Sequence, residues 1–249
     1  MTSDALEMDY HKISTTSAAI DISKPSLPEL DGGTLTEDKA LAFLQHPDLP
    51  PEIIQKIAKN TDVMKSRKVR FAIAAHPRTA RRLSLRLIRE SHTGDLARFA
   101  LLPAVAADIK KAAAELLLTR LPSITVGERI SLARRSPPTV AAALLLDKEN
   151  RVWQAVLENP RLTEAGIVKA LHRHGASDAL VAFLCRHAKW SFRPEIRAAL
   201  LLTEKIPLAH ALAFACTMPS EQLRDILHVS RLPRSVKAHL EETVLEKMP

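Results

Sequence analysis

The sequence predicts an all-α fold, an α-solenoid in which short helix pairs stack into a right-handed superhelical row. Three observations point there. Ala and Leu are abundant, Gly is scarce (6), and aromatic residues make up only 4% of the 249 residues, a composition that suits close-packed helices better than sheets. The 16 prolines are too many for long uninterrupted helices, so short helices separated by proline turns are expected. Finally, the stretch from Val152 to Leu171 carries an apolar helical run to Asn159-Pro160, a short turn, and a second run opened by Thr163, and this grammar recurs on both sides of it.

Residues 1–35 lack periodicity and end in Pro25, Pro28 and Gly32-Gly33, which marks them as an acidic disordered or loosely attached tail. Such a tail is a solvated terminus or, more sharply, an acidic segment lying on the basic body. Residues 36–249 are expected to form the helical-repeat domain. Thr36 is the first N-cap, with Glu37 and Asp38 opposing the positive helix end. Leu41 to Leu44 carries the first apolar stretch, His46 to Pro50 turns the chain, and Ile53, Ile54 and Ile57 line the next helix at the spacing of one buried face.

The unit repeats as residues 68–75, His76-Pro77 and a helix over 80–90. It repeats again up to Pro103 with a helix around Ala106 to Leu118, and up to Pro138 with Val140 to Leu146. Glu195 to Thr203 and Glu221 to Val229 read as degenerate copies with displaced prolines. The corner then falls near residues 47, 77, 103, 137, 160, 204 and 230, and the longest interval accommodates an extra helix from Asp178 to His187. Each proline ends the helix before it, and each following helix starts at a cap. These caps are Thr125 with Glu128 in capping-box spacing, Thr163 before Glu164, Ser177 before Asp178 and Ser220 before Glu221. Helices this short must stack on neighbours to bury a face.

The strings VRFAIAAHP (69–77) and RVWQAVLENPRLT (151–163) resemble the repeats of leucine-rich repeat variant and HEAT-like α-solenoid proteins of bacteria, over about residues 40–246. The resemblance implies a HEAT-like stack acting as an adaptor or scaffold. The leucine-rich repeat variant type carries an amino-terminal cysteine cluster for an iron–sulfur centre, whereas this chain has no cysteine before Cys185, so no cofactor is implied.

Two cysteines, Cys185 and Cys216, make no disulfide framework, and Met1 to Ile20 has no signal-peptide pattern, so a cytoplasmic setting is expected. The longest run without Asp, Glu, Lys or Arg, Ile206 to Ser220, is broken by two prolines and is too short to span a membrane. The net charge is +8, but residues 1–35 hold six acids against Lys12 and Lys24, which leaves the remainder at +12. A body that basic favours acidic partners: a protein with an acidic surface, or nucleic acid.

Two constellations stand out as binding candidates. From Lys65 to Arg89 there are nine basic residues and no acid, and Arg78, Arg82, Arg86 and Arg89 fall at spacings of four, four and three. The last three share one helix face, joined by Arg78 if the helix starts early enough, a stripe suited to phosphates or acidic side chains. The alternative is a solvated arginine face. The second candidate is Lys189, Trp190, Phe192, Arg193 and Arg197, where Trp190 is either an exposed hot spot or a plug at a change of pitch.

His172, His174, His187 and Cys185 cluster, but ligands at i and i+2 diverge on a helix, so helix-end histidines facing the negative dipole are expected rather than zinc. No nucleophile elbow, phosphate-cradling glycine loop or metalloprotease helix occurs, and a non-enzymatic binding protein is expected. The HEAT-like alkylpurine DNA glycosylases show that such a stack can act on DNA, and nucleic-acid binding is the second expectation. Trp153 and Trp190 are the only tryptophans available for such a role, and no acid pairs with them by sequence.

Overall fold

A computed structural model describes residues 35–173 and 176–246, with side chains to Glu242. The expected tail therefore lies outside the described residues except for Leu35. Every regular element among the described residues is helical, and none of these helices is long and apolar enough to cross a membrane. The chain forms two compact units, residues 1–73 and 74–249.

The first unit contains α1 (Glu37–Leu44), α2 (Pro51–Lys59), a 3-10 turn (Val63–Lys65) and most of α3 (Arg67–Ala75). Thr36 caps α1 by accepting from the Lys39 N–H at 3.4 Å. Pro50 and Pro51 end the corner and start α2, where a proline lacks nothing because the first-turn N–H would be unsatisfied anyway. Ile53, Ile54 and Ile57 are all buried, as their spacing predicts.

The second unit continues with α4 (Arg81–Arg89), α5 (Thr93–Phe99), α6 (Ala107–Arg120) and α7 (Val126–Arg135). Next come α8 (Pro138–Leu144), α9 (Asn150–Leu157), α10 (Glu164–Leu171) and α11 (Asp178–Arg186). It ends with α12 (Pro194–Leu201), α13 (Leu208–Thr217), α14 (Ser220–Val229) and α15 (Arg234–Glu246). Packing follows parity: α4 meets α6, α6 meets α8, and so on through α10 and α12 to α14. The odd helices do the same from α5 through α7 and α9 to α11, and again between α13 and α15. The rows join through neighbours such as α5 with α6, α7 with α8 and α11 with α12.

Each helix contributes a buried stripe, including Leu96 and Phe99, Ala113 and Leu117, Val140 and Leu144, and Val152, Trp153 and Val156. Trp153 of α9 meets Phe183 of α11 edge to face, with ring centroids 5.2 Å apart. A buried side chain of this size contributes roughly 1.5–3 kcal/mol, which helices of seven to ten residues cannot supply from their own hydrogen bonds.

The expected caps at Thr125, Thr163 and Ser177 all form, and Thr125 with Glu128 closes a full capping box. Ser220 does not cap: Pro219 holds that position and Ser220 is the first helical residue, so the proline supplies the helix-entry geometry instead.

The expected corners at 204 and 230 need correction. They are connections from an even helix to an odd one, whereas the earlier corners at 47, 77, 103, 137 and 160 all run from odd to even. The matching later corners are residues 187–193 and 218–219, and α11 is a regular odd helix rather than an inserted one. The fifth of the second unit's corners was hidden because its proline, Pro194, comes only at the start of α12.

Short helices leave their last carbonyls without intrahelical donors. In the second unit, side chains about one repeat later supply them. Arg120 donates to the carbonyls of Arg89 and Ser91 at 2.6 and 2.5 Å. The Asn159 amide donates to Ala133 and Ser136 at 2.8 and 3.2 Å. The Trp190 indole donates to Leu157 at 3.1 Å, and Lys205 ties the connection before α11 by donating to Ala176 at 2.7 Å.

An ion pair adds to these ties: Arg129 of α7 lies 3.2 Å from Asp147 before α9, and the carboxylate side chain is only 6% exposed. Asn159→Ala should lower unfolding free energy by about 2–4 kcal/mol, because it removes a turn acceptor and strands two buried carbonyls. Urea denaturation reads this directly, and a change below about 0.5 kcal/mol would show the amide to be idle. Asp147→Ala should cost about 3–5 kcal/mol by stranding Arg129, while Arg129→Met with Asp147→Leu should restore most of it.

Candidate functional site

Helix α4 is strongly amphipathic. Ser84, Leu87 and Ile88 are buried, while Arg82, Arg86 and Arg89 are exposed on the opposite side. The helix is fastened at both ends to α6. Arg81 pairs with Asp108 in the first turn of α6, and Arg120, its last residue, caps the α4 carboxyl end. The Arg81 guanidinium holds the Asp108 carboxyl below its ordinary value. These ties fix the direction in which the three arginines point. No carboxylate among the described residues pairs with Arg82, Arg86 or Arg89.

Arg78 does not join the stripe. The helix begins at Arg81, and Arg78 lies in the preceding turn, where its backbone N–H donates to His76 Nδ1 at 3.2 Å. The proline at 77 cannot supply a donor to this turn, and the histidine ring takes the role that an Asn or Asp side chain often plays.

The second candidate divides. Trp190 is buried, 3% exposed, with its ring packed inside and its N–H on the Leu157 carbonyl. It is a plug and not an exposed hot spot. Lys189 Nζ lies 4.2 Å above the ring centroid on the outer side. Arg193 is exposed but pairs with Glu164 of α10 at 3.2 Å. Arg197 is spent on structure, donating to the Ser191 carbonyl at 2.7 Å and Thr217 Oγ1 at 2.9 Å. The exposed aromatic of this corner is Phe192, at 69%. Four packing steps separate α4 from α12 along the even row.

Sequence reasoning passed over Arg134, Arg135 and Arg161, which are exposed where α7 and α9 turn into the next helix. Arg134 and Arg135 make only a dipeptide and Arg161 stands alone, so neither shows the periodic spacing that marks a stripe in the sequence. The one signal in the chain is the dipeptide position: a basic residue follows Asn159-Pro160 as it follows His76-Pro77.

The other titratable groups serve the corners. Asp147 Oδ1, Asn159 Oδ1 and His187 Nδ1 each accept the N–H two residues on, at 2.9, 2.8 and 3.2 Å, as His76 does. His172 and His187 sit at helix carboxyl ends as expected, whereas His174 lies outside the described residues. His187 differs from a cation facing a dipole, since accepting at Nδ1 requires the neutral ring with its proton on Nε2. Burial, and then the Lys189 ammonium, hold it below the ordinary histidine value against the opposing charge of Glu158. Cys185 is buried, which pushes its thiol up to about 11, so it is no thiolate at neutral pH.

With its folded value lowered, His187 contributes stability that is complete above about pH 6.5, the unfolded value, and is lost as pH falls through the folded one. Urea midpoints measured at neutral and mildly acidic pH should therefore converge in His187→Asn, which keeps a turn acceptor but cannot titrate. An unchanged pH dependence in that variant would refute the assignment.

Compared with known proteins, the chain matches no protein family, no curated protein and no solved structure.

Proposed function

We propose that this chain is a non-enzymatic helical-repeat binding protein that engages an acidic macromolecule through exposed arginines held on a rigid helical frame. The observation that carries this reading is α4, whose Arg82, Arg86 and Arg89 are fully presented while both helix ends are tied to α6. Ordering long side chains is a large part of the cost of binding, and a fixed helix reduces it. The parity packing of the second unit supports a HEAT-like α-solenoid, in which successive pairs extend one surface. Binding rather than catalysis is supported by how the reactive residue types are employed. Asp147, His76 and His187 hold corners, Glu128 closes a capping box, and Cys185 is a buried neutral thiol.

The triple variant Arg82→Glu, Arg86→Glu, Arg89→Glu should elute from a heparin column at clearly lower salt than the wild type. A charge-matched control, Lys148→Glu, Arg173→Glu, Arg234→Glu, should shift far less. Equal shifts would mean that only bulk charge is being read, and the proposal would fall.

A further inference from the structure

The two kinds of connection in the second unit carry different charge. Where odd helices turn into even ones, exposed cations gather at four corners: Arg78 and Arg82 after α3, Arg134 and Arg135 after α7, Arg161 after α9 and Lys189 after α11, whereas residues 100–106 after α5 hold none. Acids on this side are partly spent, Asp108 on Arg81 and Glu164 on Arg193, leaving Glu158, Glu195 and Glu221. Where even helices turn into odd ones, most cations have an acid beside them, the exception being the connection of Arg231 and Arg234 before α15. Arg89 is followed by Glu90, Lys148 lies between Asp147 and Glu149, and Lys205 pairs with Asp178.

Neighbouring helices joined by short connections run antiparallel, so all the odd-to-even corners fall on one edge. From the corner of Arg78 to that of Lys189 there are four helix steps, roughly 30–40 Å at about 8–10 Å each. One turn of a nucleic-acid duplex is about 34–36 Å.

We propose that this corner edge binds the phosphate backbone of double-stranded nucleic acid along about one helical turn, without reading its sequence. The inference rests on the basic-surface reading above and names its partner. A protein interface is centred on buried aromatic or apolar anchors. Along this edge the only large apolar side chain exposed among the described residues is Phe192, at its far end; Leu208 and Val229 belong to the other edge. Guanidinium and ammonium groups at the three successive corners from α7 to α12, joined by those at the start of α4 and with no apolar anchor between them, are an arrangement that releases counterions from a polyanion. With Phe192 as the one exposed large aromatic ring on this edge among the described residues, a single strand is also disfavoured, since successive bases would need a row of stacking platforms.

The test is fluorescence anisotropy of the full chain with a mixed-sequence duplex of about twenty base pairs, roughly two turns, and with poly-L-glutamate, across a salt series. For the wild type, log affinity for the duplex should fall linearly with log salt, with a slope of about −5 for about six phosphates neutralised. Arg134→Glu, Arg135→Glu, Arg161→Glu should lose at least about 30-fold in affinity and flatten the slope by about 3. The Gln versions should lose less, in the same order. Control reversals at Lys148, Arg173 and Arg234 should cost under about threefold. All the substituted residues are exposed, and matching thermal midpoints verify folding.

Equal losses in edge and control variants overturn the proposal. So does wild-type binding to poly-L-glutamate but not to the duplex, which would leave the acidic-partner reading standing. Duplex binding that depends on Arg82, Arg86 and Arg89 but not on the edge triple confines the partner to α4 and also overturns it. Failure to bind either polyanion defeats both readings.

Discussion

A helix of seven to ten residues leaves nearly as many backbone groups unpaired at its ends as it pairs within, and this constraint governs the protein. Amino ends are met locally, by Thr36, Thr125, Thr163 and Ser177, or by prolines that dispense with a donor. Carboxyl ends are met from a distance. Arg120, Asn159 and Trp190 reach carbonyls 23 to 33 residues earlier, so later segments finish the helices of earlier ones. Apart from the exposed bond to Arg89, these bonds are buried or partly buried, where an unmet carbonyl would cost about 1–3 kcal/mol.

The same device sets the electrostatics. Because Arg120 and Arg81 lash α4 to α6, the remaining arginines of α4 have no internal role and face solvent as a fixed array. At the corners the acceptor side chain takes the N–H of the residue two positions on, and that residue is basic at Arg78, Arg161 and Lys189. Its side chain is directed outward from a closed turn. Turn chemistry and surface charge are thus coupled by the local backbone.

The all-helical character, most helix boundaries and most caps were legible, because they depend on residues within one turn of each other. Ile53, Ile54 and Ile57 betray their buried face by spacing alone, and Thr125 with Glu128 is a local motif. What escaped was non-local. Trp190 could be read either as a surface anchor or as a plug, because the partner that decides for the plug, the Leu157 carbonyl, lies 33 residues back. The corner at 187–193 read as an irregular one outside the series because His187 closes it in place of a proline dipeptide, and following prolines then shifted the register to 204 and 230. Arg78 fell off the stripe because a histidine acceptor holds the chain in a turn until Arg81. Arg134, Arg135 and Arg161 are recognised as residues of like connections only once helices are counted by parity.

The backward reach of the carbonyl donors gives the chain a direction. During synthesis, a helix pair that has left the ribosome remains chemically unfinished until the residues one repeat downstream have followed it, at about 5–20 residues per second. Asn159 must emerge before Ala133 and Ser136 are sealed, and Trp190 before Leu157. Growth from the amino end is therefore a sequence of latches, each set by the newest segment. A carboxyl-terminal truncation opens the last latch, whereas an amino-terminal one only leaves a side chain pointing into water.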